Sequence, residues 1–529
     1  MGSTVSEAVS LTFAEDSSLA TITLGREDET AIVLTPARMD SLVAALEEVR
    51  TKQPQGLVLR APSLKSFCVG ADISLIQGVT DPREGLELAQ QGQEAYNLLE
   101  DLNCTTVAAI SGPCVGGGCE LVLACDYRIL SDGSSSVIGL PETKLGILPG
   151  FGGTYRLPRL IGLPAALDII LAGKTVKAKK ALKIGLVDKL SRSELLFDEA
   201  AAVALGHTIL PKRRKGLGNR LASSTRLGRF CTARMAKKSL QRQTKGFYPA
   251  PEKALVRCVE GLGLDRATGL ALEAQDLGKL IVTPESKALV HVYYLTEHSK
   301  TLAKTANLDP NTLHGMVIGA GTMGAGIAGL LAQKCQSVIV KDTSLESLNR
   351  GKKHTQKTFS KRRSLSSFQK AATLNRIDWL QYHAETERRA GIVVEAVFEN
   401  MDLKKSIFQE VAQHVDTDCI LASNTSSLSV TEMASELPRP ERFIGMHFFN
   451  PVERMPLIEL ITGEYTSEET VAKAAALSIS LGKFPIVVKD VPGFLVNRIL
   501  IPYLNEAVYL LQEGYSVVDI DTAATQFGM

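Results

Sequence analysis

No apolar run in this sequence outlasts a strand before a charge or glycine interrupts it, so no segment reaches the roughly 20 residues that span a bilayer. The opening residues, MGSTVSEAVSLTFAEDSS, lack a basic stretch followed by an apolar one, which argues against a secretory leader. Glu7, Glu15 and Asp16 likewise disfavour an arginine-rich transit peptide. MGSTVS formally fits the myristoylation pattern, a match that arises often by chance. A bacterial cytoplasm is therefore the expected compartment, ahead of a mitochondrion or peroxisome. The nine cysteines contain no C-x-x-C, and no histidine pair stands near them at ligand spacing, so no metal is expected. Cys114, Cys119 and Cys125 lie in or beside an apolar run and read as small buried hydrophobes in a reducing compartment.

A chain of 529 residues, 45% hydrophobic and with a net charge of +2, reads as a globular protein of two to four domains. Over the first two hundred residues, short β-rich runs alternate with helical stretches, an α/β pattern. QGLVLRAP (55–62) and TTVAAISG (105–112) read as buried strands. In 37–50 the 3.6-residue period predicts a helix whose buried face carries Met39, Leu42, Val43, Leu46 and Val49. From about 190 to 310 the texture turns helical and polar. Between Pro211 and Lys245 there are twelve Lys or Arg and no Asp or Glu. A solvated helical face is the plain reading, and an anionic partner the sharper one: a cofactor phosphate, a membrane surface or nucleic acid. With Phe230 as its one aromatic and Phe247 just beyond it, the stretch offers little stacking platform, so nucleic acid is not expected.

A second α/β unit opens at HGMVIGAGTMGAGIAGLLAQKCQSVIVKDTS (314–344). Gly319, Gly321 and Gly324 spell G-x-G-x-x-G between an apolar strand and a helix, and Asp342 closes the next strand, 21 residues beyond Gly321. The glycines permit a tight turn and close backbone approach, and the helix N-terminus meets a pyrophosphate. A carboxylate at 342 suits a ribose 2′-hydroxyl and repels a 2′-phosphate, so NAD is expected rather than NADP. The bland alternative is a glycine-rich turn without a ligand. His447, before FFNP, is the candidate base for oxidising an alcohol, since histidine titrates in the useful range. Most lone histidines are structural. Glu459, in LIEL, has the chemistry to hold that imidazole in one tautomer. After this unit, residues 496–511 carry an apolar stripe that needs other helices to pack against, and Gly514 supplies its stop.

In the first unit, GPCVGGGCELVLACDYRI (112–129) sets three glycines before Glu120 at the start of an apolar helical run. Such glycines let backbone N–H groups approach something closely, while the glutamate is a charge in an awkward place. Glu142, in LPE, adds a second carboxyl. Asp72 is either a cavity residue or a turn cap.

The motifs GAGTMGAGIA, VVEAVFEN, ASNTSSL, GMHFFNPVERMPLIE and VPGFLVNRI resemble the 3-hydroxyacyl-CoA dehydrogenase family in order and spacing. The resemblance implies His447 as base and Glu459 as its partner, with Ser426 and Asn497 binding substrate around its 3-hydroxyl. It also implies Glu399 and Lys404 at the nicotinamide end of the NAD site. FCVGADIS, SGPCVGGGCELVLACDYRI and GLPETKLGILPGFGGTYRLPRLIG resemble the enoyl-CoA hydratase (crotonase) family. Here the resemblance implies Ala71 and Gly117 as the two N–H donors to a thioester enolate. Glu120 then positions water, and Glu142 gives and takes the C2 proton. Family members with one of these glutamates act as isomerases or dehalogenases; both together favour hydration.

The two modules in this order are similar to the α-subunit family of fatty-acid β-oxidation complexes. The fold expected is α/β: a crotonase-like domain (1–190), a helical linker (191–310), a Rossmann NAD-binding domain (311–490) and the start of an all-α domain (491–529). The resemblance implies acyl-CoA thioesters as substrates, a thiolase β subunit as partner and Δ3-enoyl-CoA isomerisation at the first site. An anionic membrane is a further candidate for the basic stretch. Because the family continues past FG at 527–528, the reading expects a C-terminally truncated member. Two alternatives stand beside a two-step enzyme: a hydratase with a weakly active dehydrogenase, and a non-catalytic acyl-CoA and NAD scaffold. The four acid–base residues argue against the scaffold.

Overall fold

The computed structural model describes residues 9–63, 65–211, 217–362, 365–382 and 385–529. The myristoylation pattern and part of the basic stretch lie outside these residues. The chain divides into two compact units, with the boundary between Tyr293 and Tyr294.

The first unit holds nine strands: β1 (Val9–Phe13), β2 (Leu19–Leu24), β3 (Gly56–Arg60), β4 (Thr105–Ile110), β5 (Pro113–Val115), β6 (Tyr127–Ser131), β7 (Val137–Gly139), β8 (Thr175–Lys177) and β9 (Lys189–Ser191). One sheet has the order β1-β2-β3-β4-β6-β9, parallel after the antiparallel β1–β2 pair, and a smaller sheet has the order β5-β7-β8. Both strands expected at 55–62 and 105–112 are present as β3 and β4. They read as continuous apolar runs because both faces of a central parallel strand are covered. Val58, Val107 and Ile129 pack against Leu196, Ala200 and Val203 of the helix Leu196–Ala204.

The helix expected at 37–50 spans Pro36–Lys52 and is capped by the Thr35 hydroxyl. Its buried face differs from the expectation: Arg38 and Ala45 are buried with Leu42, Leu46 and Val49, while Met39 and Val43 are half-buried. Arg38 accounts for the rotation. Its guanidinium meets both Glu29 oxygens at 2.8 Å and donates to the Val33 carbonyl at 2.5 Å, so the charge is satisfied inside. The helical segment expected as a separate linker also differs. The helices Pro249–Gly261 and Arg266–Ile281 belong to the first unit, the latter lying along Pro82–Glu100.

The second unit carries β10 (His314–Ile318), β11 (Ser337–Lys341), β12 (Ile377–Leu380), β13 (Ile392–Glu395), β14 (Ile420–Ser423), β15 (Phe443–Phe448), β16 (Leu457–Thr462) and β17 (Phe484–Lys489). Their order is β12-β11-β10-β13-β14-β15-β16-β17, parallel except where β16 turns back on β15. The first six strands form the doubly wound pattern with its switch point between β10 and β13, where ligands bind at the strand ends. Beyond it, the helices Val496–Gln512 and Val517–Phe527 bury no residue among those described. Gly514 ends the first of them at φ 101°.

Candidate active sites

The three glycines have three different jobs. Gly116 adopts φ 58°, a conformation costly for other residues, and caps the helix Gly117–Leu123. Gly118 lies so close to β5's neighbour that a methyl there would meet the Cys68 carbonyl at 2.5 Å. Gly117 stands at the first helical position, where the N–H has no intrahelical partner. Neither this N–H nor that of Ala71 has a hydrogen-bond partner among the described residues. The turn that carries Ala71 is adjacent, since a methyl on Gly70 would lie 3.2 Å from the Gly117 nitrogen. Tyr96, which the sequence reading missed, is buried and donates to the Gly117 carbonyl at 2.8 Å, fixing that peptide. Asp72 caps the helix Ile73–Gly78 by accepting the Ser74 N–H at 2.8 Å.

Glu120 follows on the same helix and is buried. Its Oε1 accepts the N–H groups of Phe151 at 2.8 Å and Gly153 at 2.7 Å, and its Oε2 takes none from the described residues. Glu142 begins a short 3-10 turn, Glu142–Leu145, and is also buried. Neither of its oxygens has a partner among the described residues. A methyl on Gly116 would stand 3.5 Å from Glu142 Oε1, which places this carboxyl over the glycine turn. Burial, with a smaller push from Glu273, raises Glu142 to about 8. Burial, then repulsion by Glu142 and Glu273, also drives Glu120 up, against its two amide hydrogen bonds. Those two amides favour the ionised form of Glu120, whereas Glu142 is restrained by its own backbone N–H alone. Both carboxyls are thus raised, and the two amides make Glu120 the one with hydrogen-bond support for a charge. A buried polar group without partners is costly, and this one has the properties of a carbon acid's proton carrier.

In the second unit, Gly319 at φ 100° leaves no room for a side chain, since a methyl would meet the Ala396 carbonyl at 2.6 Å. Gly324 closes against the Gly319 carbonyl. Gly321 differs: it caps the helix Thr322–Leu331, and a methyl there would meet nothing within 4 Å. Open space at a helix N-terminus fits a pyrophosphate. Asp342 accepts the Ala320 N–H at 2.8 Å and the Ser344 N–H at 2.9 Å, so it braces the glycine turn as well as presenting its charge.

His447 and Glu459 sit directly opposite each other in the antiparallel β15–β16 pair, which puts both side chains on one face. The His447 Nδ1 to Glu459 Oε2 distance is 2.7 Å. The other Glu459 oxygen accepts the N–H groups of Leu495 at 3.0 Å and Val496 at 2.9 Å. Burial alone raises Glu459; the hydrogen bonds from His447, Val496 and Leu495 outweigh it and hold the carboxyl below its usual range. An ionised Glu459 keeps the proton on Nδ1 and leaves Nε2 as the basic nitrogen.

Ser426, Glu399, Lys404 and Asn497 form one network. The Ser426 hydroxyl donates to Glu399 Oε1 at 3.1 Å, and Asn497 donates to the Ser426 carbonyl at 3.3 Å. Lys404, expected with Glu399 at the nicotinamide end of the NAD site, reaches Glu399 from the interior. It is fully buried, with its ammonium 2.7 Å from Glu395 and 3.2 Å from Glu399. On the helix Met401–Ala412 it shares the buried face with Phe408 and Val411, so it acts by placing Glu399. Glu395, missed in the sequence, also accepts the Ser423 hydroxyl at 2.7 Å. No group of His, Cys, Asp and Glu among the described residues is arranged to hold a metal.

The two sites define an acyl-CoA enzyme with a hydratase module ahead of an NAD-dependent dehydrogenase module. Residues 14–215 match the enoyl-CoA hydratase/isomerase family. Residues 315–491 match the NAD-binding domain of 3-hydroxyacyl-CoA dehydrogenase and 493–529 its C-terminal domain. The chain is 40% identical over 525 residues to the fatty acid oxidation complex subunit alpha of Shewanella amazonensis, covering 97% of this chain and 74% of that one. It is also 40% identical over 527 residues to the subunit alpha of Aliivibrio fischeri, covering 97% and 75%. A solved (S)-3-hydroxybutyryl-CoA dehydrogenase from Ralstonia eutropha is 42% identical over 39% of this chain and 75% of that one, with a TM-score of 0.38. The chain belongs to the α-subunit family of the fatty acid oxidation complex. It is an enzyme of fatty-acid β-oxidation that hydrates enoyl-CoA and then oxidises the 3-hydroxyacyl-CoA with NAD.

Proposed function

We propose the following division of labour among the residues. The N–H groups of Ala71 and Gly117 hold the thioester oxygen as it gains charge, and the dipole of the helix begun by Gly117 adds to that field. Glu120 Oε2 takes the proton of a water as its oxygen bonds to C3. Glu142 delivers its proton to C2, which converts the C2=C3 double bond into a 3-hydroxyacyl thioester. The same carboxyl moving a proton between C4 and C2 accounts for Δ3-to-Δ2 isomerisation. The observation that carries this reading is the contrast between the two carboxyls, one with two amide donors and one with none.

At the second site, Gly319, Gly321 and Gly324 would hold NAD, which would supply the acceptor for the C3 hydride. His447 Nε2 takes the proton of the 3-hydroxyl, Glu459 stabilises the imidazolium, and Ser426 and Asn497 orient the hydroxyl carbon. A coupled assay with a trans-2-enoyl-CoA, reading double-bond loss and NADH separately, tests both sites at once. Both signals are expected, with NADH lagging; accumulation of 3-hydroxyacyl-CoA without NADH would sink the second-site reading, and no double-bond loss the first.

The 3-ketoacyl-CoA released is a thiolase substrate, which supports a thiolase as the partner. The basic stretch supports a second contact. The helix Arg226–Thr244 exposes Leu227, Phe230 and Met235 amid Arg229, Arg234, Lys237 and Lys238. No helix among the described residues is long and apolar enough to cross a membrane. Exposed apolar side chains interspersed with cations suit an anionic bilayer surface instead. Co-sedimentation with vesicles containing anionic lipid, lost in about 0.5 M salt, roughly three times physiological ionic strength, and absent with neutral lipid, is the expected result. Equal binding to neutral vesicles overturns it.

A further inference from the structure

A third buried glutamate stands beside the hydratase pair, and it comes from outside the residues that match the hydratase family. Glu273 lies on the helix Arg266–Ile281 and is 0% exposed. Its oxygens accept the Gly152 N–H at 2.6 Å, the Thr154 N–H at 2.8 Å, and the Thr154 hydroxyl. Gln93 of the helix Pro82–Glu100 donates to it at 3.3 Å. The neighbouring amides go the other way: Phe151 and Gly153 donate to Glu120. Four consecutive N–H groups thus alternate between two carboxylates at the start of the helix Gly153–Ile161. Those of Gly152, Gly153 and Thr154 are orphan donors of a helix N-terminus, where negative charge is favoured, and Phe151 lies just before the cap.

We propose that Glu273 is a positioning residue of the hydratase site, holding the 151–154 backbone so that Phe151 and Gly153 face Glu120 while its charge acts on the Glu120–Glu142 pair. The inference rests on Glu120 and Glu142 being the acid–base pair. Without Glu273, Gly152 and Thr154 lose their acceptor, and the polar tie left between the segment and the helix behind it is Gln93, which bridges the Gly150 and Leu270 carbonyls. The charge matters as well. The groups facing Glu273 are Glu120 and Glu142, the guanidinium of Arg156 and the Cys258 thiol. Burial raises Glu273 to about 7, with Thr154, Gly152 and Arg156 restraining the rise. Near neutral pH it is partly ionised, and each increment of its charge makes the loss of the Glu142 proton harder.

The test uses the full chain with Glu273→Gln, following hydration of a trans-2-enoyl-CoA across pH. Glutamine still accepts from one amide but carries no charge. The expected result is a kcat about tenfold lower, KM within about twofold, and an alkaline limb displaced by about one pH unit to lower pH. Oxidation of 3-hydroxyacyl-CoA, measured on the same preparation, stays unchanged. A fall in kcat with an unmoved limb reduces Glu273 to a packing role and overturns the proposal, as does unchanged activity. If that variant fails to fold, Thr154→Val keeps the carboxylate and removes one of its donors. Glu273 then ionises less readily, and the limb moves the same way by a smaller amount; an unmoved limb overturns the proposal. Glu142→Gln in the same assay separates this outcome from a wrong acid–base assignment, because full activity in Glu142→Gln would sink the pair itself.

Discussion

Glu142→Gln is expected to lower kcat/KM for hydration by about 10³-fold, within the range of a lost general acid, while acyl-CoA binding changes little. Glutamine matches the shape of the carboxyl and leaves the Ala71 and Gly117 donors in place, so the loss is one of proton delivery. Neither oxygen of Glu142 is engaged by the described residues, so no structural hydrogen bond is removed with the charge. The pH dependence has a defined sign. Hydration needs Glu142 protonated, and burial raises it to about 8, so the unmodified rate falls as pH rises through that value. The same shift acts on stability. A carboxyl raised above its unfolded value binds more proton in the folded state, so its contribution is greatest in acid and is lost as pH climbs from the ordinary carboxylate range through about 8. Glu142→Gln removes that slope, so melting of the variant should vary less than that of the parent between about pH 4, near the unfolded value, and about pH 8. Activity within tenfold of the parent would show that another group carries the C2 proton.

Much of both sites was legible because their constraints are local. The glycine turns at 116–118 and 319–324 announce close backbone approach. His447 and Glu459 stand in two apolar strands, and the antiparallel register then brings them together. What was not legible depends on elements distant in sequence. Glu273 meets Thr154 across 119 positions, and no local pattern near Glu142 or Glu120 names it. One signal did exist: Glu273 falls within the stripe of Leu270, Ala274, Leu277 and Ile281, where a carboxylate has no place unless something inside accepts it. Lys404 repeats the lesson, because its spacing to Phe408 and Val411 marks the buried face of a helix. Arg38 does so a third time, as a charge inside the face that a hydrophobic period assigned to Met39 and Val43. In each case the polar residue is held by groups from another element, which the pattern of its own helix does not name.

Glu459→Gln is expected to lower kcat for 3-hydroxyacyl-CoA oxidation by about 10²–10³-fold, with KM for NAD little changed and hydration untouched. Glu459 does two things at once. Through Oε2 it fixes the Nδ1 tautomer of His447, and through Oε1 it accepts the N–H groups that open the helix Val496–Gln512. A glutamine has one acceptor for these two duties. If its oxygen stays with Leu495 and Val496, its amide N–H faces Nδ1 and favours the tautomer whose Nε2 carries the proton, which cannot serve as base. If the amide turns over, the imidazole keeps its tautomer but loses the negative charge that stabilises it when protonated, and two backbone donors lose their acceptor. Both arrangements lower kcat; only the second also destabilises the second unit. Measuring kcat with melting of the second unit tells them apart, and an unchanged kcat would mean that His447 needs no carboxylate behind it. Asn497 adds a third readout. It lies in the helix whose start Glu459 holds and donates to the Ser426 carbonyl. A variant that frees that helix should therefore raise KM for the hydroxyacyl substrate, and a variant that alters only the tautomer should leave it alone.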